Sequence, residues 1–266
     1  MNINKQKGFT LVEIAIVLVI IGLLLGGILK GQELINSARV RNMADQNSGI
    51  QAAYYGFIDR YRQVPGDWLF TDASQAMGVT VNLPTAVVGQ TGNGRIDNSL
   101  IEAGAVWEQL AKSNFLGGGF TPASAAGDVA TVALYVSNAV GPINAFNGSL
   151  VLTRNQGYSG TSADRLNLHM GSNVPVTIAR ELDVKVDDGL PNTGVLRLTD
   201  SDGTVTTFDG AAASTASGEI FASQFATCST VTAANAPTNT AGDGARTDDI
   251  YDIFDDAQNC GQVFLY

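Results

Sequence analysis

Glu13 is the one carboxylate inside an otherwise apolar run from Gly8 to Leu29, and it stands four residues after Phe9. An ionised side chain in a would-be membrane helix costs about 2 to 3 kcal/mol at the bilayer centre, so it calls for a counter-charge. Peptide-bond cleavage between Gly8 and Phe9 would supply one. The new Phe9 ammonium would lie about one helical turn before Glu13. The pair can form within one chain, but an amine at the start of a helix has better geometry with the Glu13 of a neighbouring copy shifted along a bundle axis.

Three other groups of residues have the types for chemistry. Asp183, Asp187 and Asp188 fall within the stretch Asp183 to Gly189 and offer oxygen ligands of the kind calcium takes. The continuation Leu190-Pro191-Asn192-Thr193-Gly194 is turn-rich, and the acids read as the solvated surface of a loop, so no metal is expected. Gly92-Asn93-Gly94 reads as a tight turn. Aligned on an EF-hand loop it places Gly89 and Leu100 where acids are required, so that match fails. His169 is the sole histidine, and its flanks carry no nucleophile motif, so no catalytic site is expected. Cys228 and Cys260 lie in a region expected to be exported, where they are expected to form a disulfide. The 31 residues between them correspond to about 3 to 4 kcal/mol on the chain-entropy model.

The elements that must position these groups begin with the apolar run. Phe9 to Leu29 is 21 residues, about 31 Å as a helix, which matches a bilayer's hydrocarbon thickness. Lys5 and Lys7 precede it, so the leader is expected to stay cytoplasmic and the large domain to lie outside. A helical period continues beyond the run through Met43, Ile50, Tyr54, Phe57 and Tyr61, with Arg39, Asp45, Gln46 and Asp59 opposite. Gln63-Val64-Pro65-Gly66-Asp67 should end that helix. The whole stem, Phe9 to Arg62, would then be about 80 Å long. Gly22, Gly26, Gly27 and Gly31 have small-residue spacing that lets helices approach closely.

Lys5-Gln6-Lys7-Gly8-Phe9-Thr10-Leu11-Val12-Glu13 resembles the processing site of type IV prepilins and type II secretion pseudopilins. The resemblance implies that a prepilin peptidase cuts between Gly8 and Phe9, that the Phe9 amine is methylated, and that Glu13 guides docking into a filament. An ordinary secretory signal, with its cut near Gly26-Gly27 or Gly31, would leave both Glu13 and the Gly8-Phe9 junction unexplained. Family pilins commonly carry a proline about twenty residues into the mature chain, where this sequence has Lys30 and glycines. The segments Tyr61 to Asp67, Gly92 to Ile96, Glu102, and Ala105-Val106-Trp107-Glu108-Gln109-Leu110 are similar to the region joining stem and sheet in a subset of prepilin-like proteins. The Cys228 to Cys260 loop also resembles the C-terminal cysteine loop of pilins.

The expected fold is thus α+β, with a long N-terminal hydrophobic helix packed against an antiparallel β-sheet head. Its parts are a leader at 1–8, a stem at 9–62 with the membrane or filament-core part at 9–29, a linking region at 63–128, and a head at 129–266. Glu102 to Asn114 should form a short amphipathic helix burying Val106, Leu110 and Phe115 beside Trp107. Extended segments are expected at Val129 to Val136, Ser149 to Thr153, Val174 to Ile178, Val195 to Leu198 and Thr204 to Phe208. Ala163 to Met170 and Ala179 to Val184 can instead contribute helical turns, and strand order is not readable. Ala211 to Ser217 and Thr227 to Thr240 read as exposed loops. Within the cysteine loop, Asp248, Asp249, Asp252, Asp255 and Asp256 read as a solvated face with Tyr251 and Phe254 turned inward.

Charge limits the partners. The 266 residues carry 15 Lys and Arg against 25 Asp and Glu, and loss of the two leader lysines leaves 13 against 25. Such a surface does not gather nucleic acid. No cofactor is expected. The resemblance implies as partners further copies of this chain, other pilins, the peptidase and an inner-membrane assembly platform. It places the head in the periplasm before assembly, and afterwards in an extracellular pilus or a periplasmic pseudopilus. The alternative from a different class is a membrane-tethered binding domain that never polymerises.

Overall fold

The computed structural model describes residues 11–84, 92–97, 99–120, 135, 140–155, 157–160, 163–199, 228–229, 250–254 and 257–266. It divides into two compact units, Met1–Arg41 and Asn42–Tyr266. Among the described residues the element order is α1 (Leu11–Tyr61), α2 (Phe70–Met77), α3 (Leu100–Lys112), β1 (Val151–Asn155), β2 (Arg165–His169), α4 (Val176–Val186), β3 (Leu196–Leu198) and β4 (Gln262–Leu265). The architecture is α+β, a long apolar N-terminal helix and an antiparallel sheet.

In the first unit α1 is apolar on every side from Leu11 to Leu29 apart from Glu13, and its large apolar side chains from Leu11 to Ile35 are exposed. A helix hydrophobic all round belongs in lipid or in a packed bundle. It is long and apolar enough to cross a membrane. Within the larger unit α1 is amphipathic instead: Met43, Ile50, Tyr54 and Phe57 are buried, while Asp45, Asp59 and Arg60 face outward. The helix stops at Tyr61 rather than at the expected Arg62, whose backbone is left-handed with φ 56°. A non-glycine residue in that conformation cannot continue a right-handed helix.

α3 begins two residues earlier than expected because Ser99 caps it, its side chain accepting the Ile101 amide. Trp107, Val106 and Leu110 are fully buried, and Trp107 Nε1 donates to Tyr135 Oη at 2.6 Å. Phe115 is half-buried and meets Phe57 edge-on, with centroids 6.2 Å apart.

The sheet has four strands in the order β1-β2-β4-β3, all antiparallel. Val151 pairs with His169, Leu168 with Phe264, and Leu196 with Phe264. The segments expected at Ser149 to Thr153 and Val195 to Leu198 correspond to β1 and β3. Two expectations are corrected. Ala163 to Met170, read as helical turns, is β2, because its backbone groups are taken up by ladders on both sides. Val174 to Ile178, read as a strand, enters α4. Pro175 stands at the N-cap with φ −63°, and Val176, Ile178, Ala179, Leu182 and Asp183 are buried at helical spacing. Branched residues there favour a strand locally, and packing overrides them. Helix at Ala179 to Val184 is as expected. Strand β4 was not anticipated, and it lies inside the sheet. Val129 to Val136, apart from buried Tyr135, and Thr204 to Phe208, Ala211 to Ser217 and most of Thr227 to Thr240 lie outside the described residues.

Candidate functional site

Gly8 and Phe9 lie outside the described residues. Glu13 stands in the first turn of α1, exposed among Leu11, Val12, Ile14 and Ile16. Its carboxylate is near the helix N-terminus, where the helix dipole favours negative charge. Adding a Cβ at Gly22, Gly26, Gly27 or Gly31 would meet nothing within 4 Å. The helix surface at the Gly22/Gly26 pair and at the Gly27/Gly31 pair is therefore open to close approach by another helix.

In the larger unit, α3 is a hub that sequence reading missed. It presents three buried polar side chains to the chain segments running past it. Gln109 Oε1 accepts the Gly66 amide at 2.9 Å, and its Nε2 donates to the carbonyls of Trp68 at 2.6 Å and Leu83 at 3.3 Å. Glu108 accepts the amides of Asn82 at 2.9 Å and Leu83 at 3.0 Å, and the Asn82 side chain at 2.8 Å. Burial raises the Glu108 pKa while those donors pull it down. Glu102 Oε2 accepts the Asp97 amide at 2.6 Å. Gly66 passes so close to α3 that a Cβ there would sit 2.5 Å from Val106 Cγ2 and 2.8 Å from the Glu102 carbonyl. Asp67 in turn holds the expected turn, accepting the amides of Gly92, Asn93 at 3.1 Å and Gly94 at 2.6 Å. These loops lack ladders of their own, so side chains of α3 and Asp67 satisfy their backbone groups. In the sequence these three belong to the polar side of an amphipathic helix, and that side is buried as well, since every residue from Leu100 to Leu110 is.

The acidic stretch differs from the solvated loop expected. Asp183 lies in the last turns of α4 and is fully buried. Its Oδ2 accepts from Tyr251 Oη at 2.7 Å, and its Oδ1 accepts the Gly189 amide at 3.3 Å. Asp187 Oδ2 accepts the amides of Val195 and Leu196, and Asp188 accepts from the Leu190 amide and the Thr193 hydroxyl. Ligand oxygens of the three carboxylates lie within 4.8 Å of one another. Their oxygens bind the protein's own donors, which accounts for the acids as caps on the turn after α4.

Cys228 and Cys260 are bonded, with Cα atoms 5.7 Å apart, and both are buried. Next to them Ser229 bridges Tyr251 and the Asp252 amide donates to the Cys228 carbonyl. Tyr251 is buried as expected, whereas Phe254, expected inward, is 96% exposed. Phe254 lies three residues on, in a turn where the Asp252 side chain accepts its amide, so no regular period carries its side chain inward. Asp248, Asp249, Asp255 and Asp256 lie outside the described residues.

His169 is fully buried on β2, its Nε2 3.0 Å from Asn155 Nδ2. Burial pushes its pKa down to about 3, so it is neutral at ordinary pH. It lies inside the sheet beside Asn155 of β1, which suits a core histidine.

The N-terminus matches the family described as the prokaryotic N-terminal methylation motif over residues 3–29. Comparison with curated proteins and with solved structures gave no match. With that motif heading a helix of membrane-spanning length, the chain carries the processing signature of a type IV pilin-like prepilin.

Proposed function

We propose that this chain is the structural subunit of a type IV pilus or pilus-like filament, serving adhesion, motility, DNA uptake or secretion. The leader 1–8 is removed between Gly8 and Phe9, and the Phe9 amine is methylated. The stem 9–62 then bundles with other copies, each Glu13 facing the Phe9 amine of a neighbour. The head 129–266, linked through 63–128 and closed by Cys228–Cys260, is displayed from the inner membrane into the periplasm and then on the fibre.

The observation that carries this reading is the exposed apolar surface of α1 from Leu11 to Ile35 with Glu13 at its head. Lipid covers such a surface before assembly, and the stems of other subunits cover it afterwards. A type II secretion pseudopilin uses the same N-terminus, and the acidic head fits either filament.

Two measurements test the proposal. Mass spectrometry of the mature chain should find an N-terminus at Phe9 bearing one methyl group. Glu13→Ala should still be cut and yet be depleted from sheared fibres about tenfold or more, as expected from losing about 1.4 kcal/mol of docking. An intact leader, or a Glu13→Ala chain that enters fibres as well as the wild type, would refute it.

A further inference from the structure

Three groups from distant parts of the sequence meet in the buried space beside α4. Asp183 comes from α4, Tyr251 from the disulfide-linked segment, and Gln262 from β4. Gln262 Nε2 donates to the Ala179 carbonyl at 2.9 Å and to Tyr251 Oη at 3.1 Å, and that hydroxyl reaches Asp183 Oδ2 at 2.7 Å. All three side chains are nearly or fully excluded from water. Tyr251 is therefore the tether of its segment, which also carries the exposed Ile250, Ile253 and Phe254.

The charges around this tether are unbalanced. Asp187 and Asp188 stand within 4.8 Å of Asp183 on its own side. From the disulfide-linked segment comes the neutral Tyr251, with Asp252 beside it accepting the Phe254 amide. β4 contributes the uncharged Gln262. β3 contributes Arg197, which acts on Asp187 and Asp188 and is itself held on the carbonyls of Gly194 at 3.0 Å and Ser159 at 3.2 Å. No ion pair to Asp183 is formed among the described residues.

We propose that Asp183 is a proton-operated clasp: protonated, it holds Tyr251 and the segment 250–254 against α4, and ionised, it favours release of that segment to water. In the closed form the Tyr251 hydroxyl donates to Asp183 Oδ2 and accepts from Gln262 Nε2, and the added proton leaves the carboxyl uncharged. On ionisation the Tyr251 bond strengthens, but a bare charge is then buried beside two like charges, a state that costs more than the bond returns. Burial is the largest cause holding the Asp183 pKa up at about 7, against the pull of Tyr251 and Gly189. Tyr251 itself is pushed well above its ordinary value by burial and by Asp183, so it stays a hydroxyl. Opening hydrates Asp183 and returns it to an ordinary acid, so the open form binds fewer protons and is favoured as pH rises between the two values.

Hydrogen exchange by mass spectrometry, on the full chain in detergent micelles with EDTA throughout, tests this. The informative amides are Asp252, bonded to the Cys228 carbonyl at 3.0 Å, and Ile253, bonded to the Tyr251 carbonyl at 3.1 Å. After correction for intrinsic exchange, opening of this segment should rise about tenfold or more from pH 5 to pH 7, as linkage requires. In Asp183→Asn it should change less than about twofold. Asp188→Asn, at an exposed position, removes one like charge and should move the rise to lower pH. A wild-type segment indifferent to pH, an Asp183→Asn segment that responds as strongly as the wild type, or an unmoved midpoint in Asp188→Asn would each overturn the proposal.

Discussion

Replacing Gln109 by Ala should loosen the region that links the long helix to the sheet. The amide makes three bonds, to Gly66, Trp68 and Leu83, all in or near the buried face of α3. Each such bond contributes about 1 kcal/mol net, and a buried donor or acceptor left without a partner costs about 1 to 3 kcal/mol. The Gly66 amide and the Leu83 carbonyl are enclosed, so the loss should reach about 3 to 5 kcal/mol once the small cavity is included. For a unit of this size, 1 kcal/mol moves the melting temperature by about 2 to 4 °C, so a fall of about 6 to 20 °C is expected. Tryptophan fluorescence reads it directly in the full chain in micelles, since Trp107 and Trp68 flank the site. Gln109→Met, which keeps the bulk and removes the bonds, should lose nearly as much. A drop below about 1 kcal/mol in both variants would refute the claim that this amide, rather than apolar packing, holds the linking loops.

Reducing Cys228–Cys260, or replacing both by Ser, should cost about 3 to 4 kcal/mol in denaturant titration, as a loop of 31 residues implies. Gly66→Ala should destabilise by about 1 to 3 kcal/mol, because φ 94° is strained for any side chain and a Cβ would strike Val106 and Glu102. The wild-type pH profile should be flattened by two opposed groups. Asp183, raised from 3.8 to about 7, stabilises fully at acid pH and loses that effect as pH rises between those values, while His169, lowered from 6.5 to about 3, loses its stabilising effect as pH falls between its own two values, and the two windows overlap. Asp183→Asn removes the first of these effects, so its melting temperature should climb relative to the wild type as pH rises from about 4.5 to about 6.5 in differential scanning calorimetry. A constant difference would show that Asp183 does not titrate in that window.

Local pattern made the long N-terminal helix readable, whereas α2 (Phe70–Met77) was not anticipated. An apolar run holding a single acid, two lysines before it and a helical stripe from Met43 to Phe57 are properties of neighbouring residues, and the 3.6-residue period carries them into space without help from the rest of the chain. α3 was legible for the same reason, as were β1 and β3 from their branched residues. The joining of Cys228 to Cys260 was expected from compartment and resemblance, although their surroundings were not.

What tertiary structure alone decided is everything built from distant partners. The C-terminal residues Gln262 to Leu265 lie between β2 and β3, a place no local signal marks because ladder partners are chosen by packing. Val176 and Ile178 turn helical since their burial on one face outweighs a branched residue's strand preference. Asp183 looks like a surface acid in the one-dimensional pattern, and becomes a buried one only because Tyr251 and Gln262, more than sixty residues on, close over it.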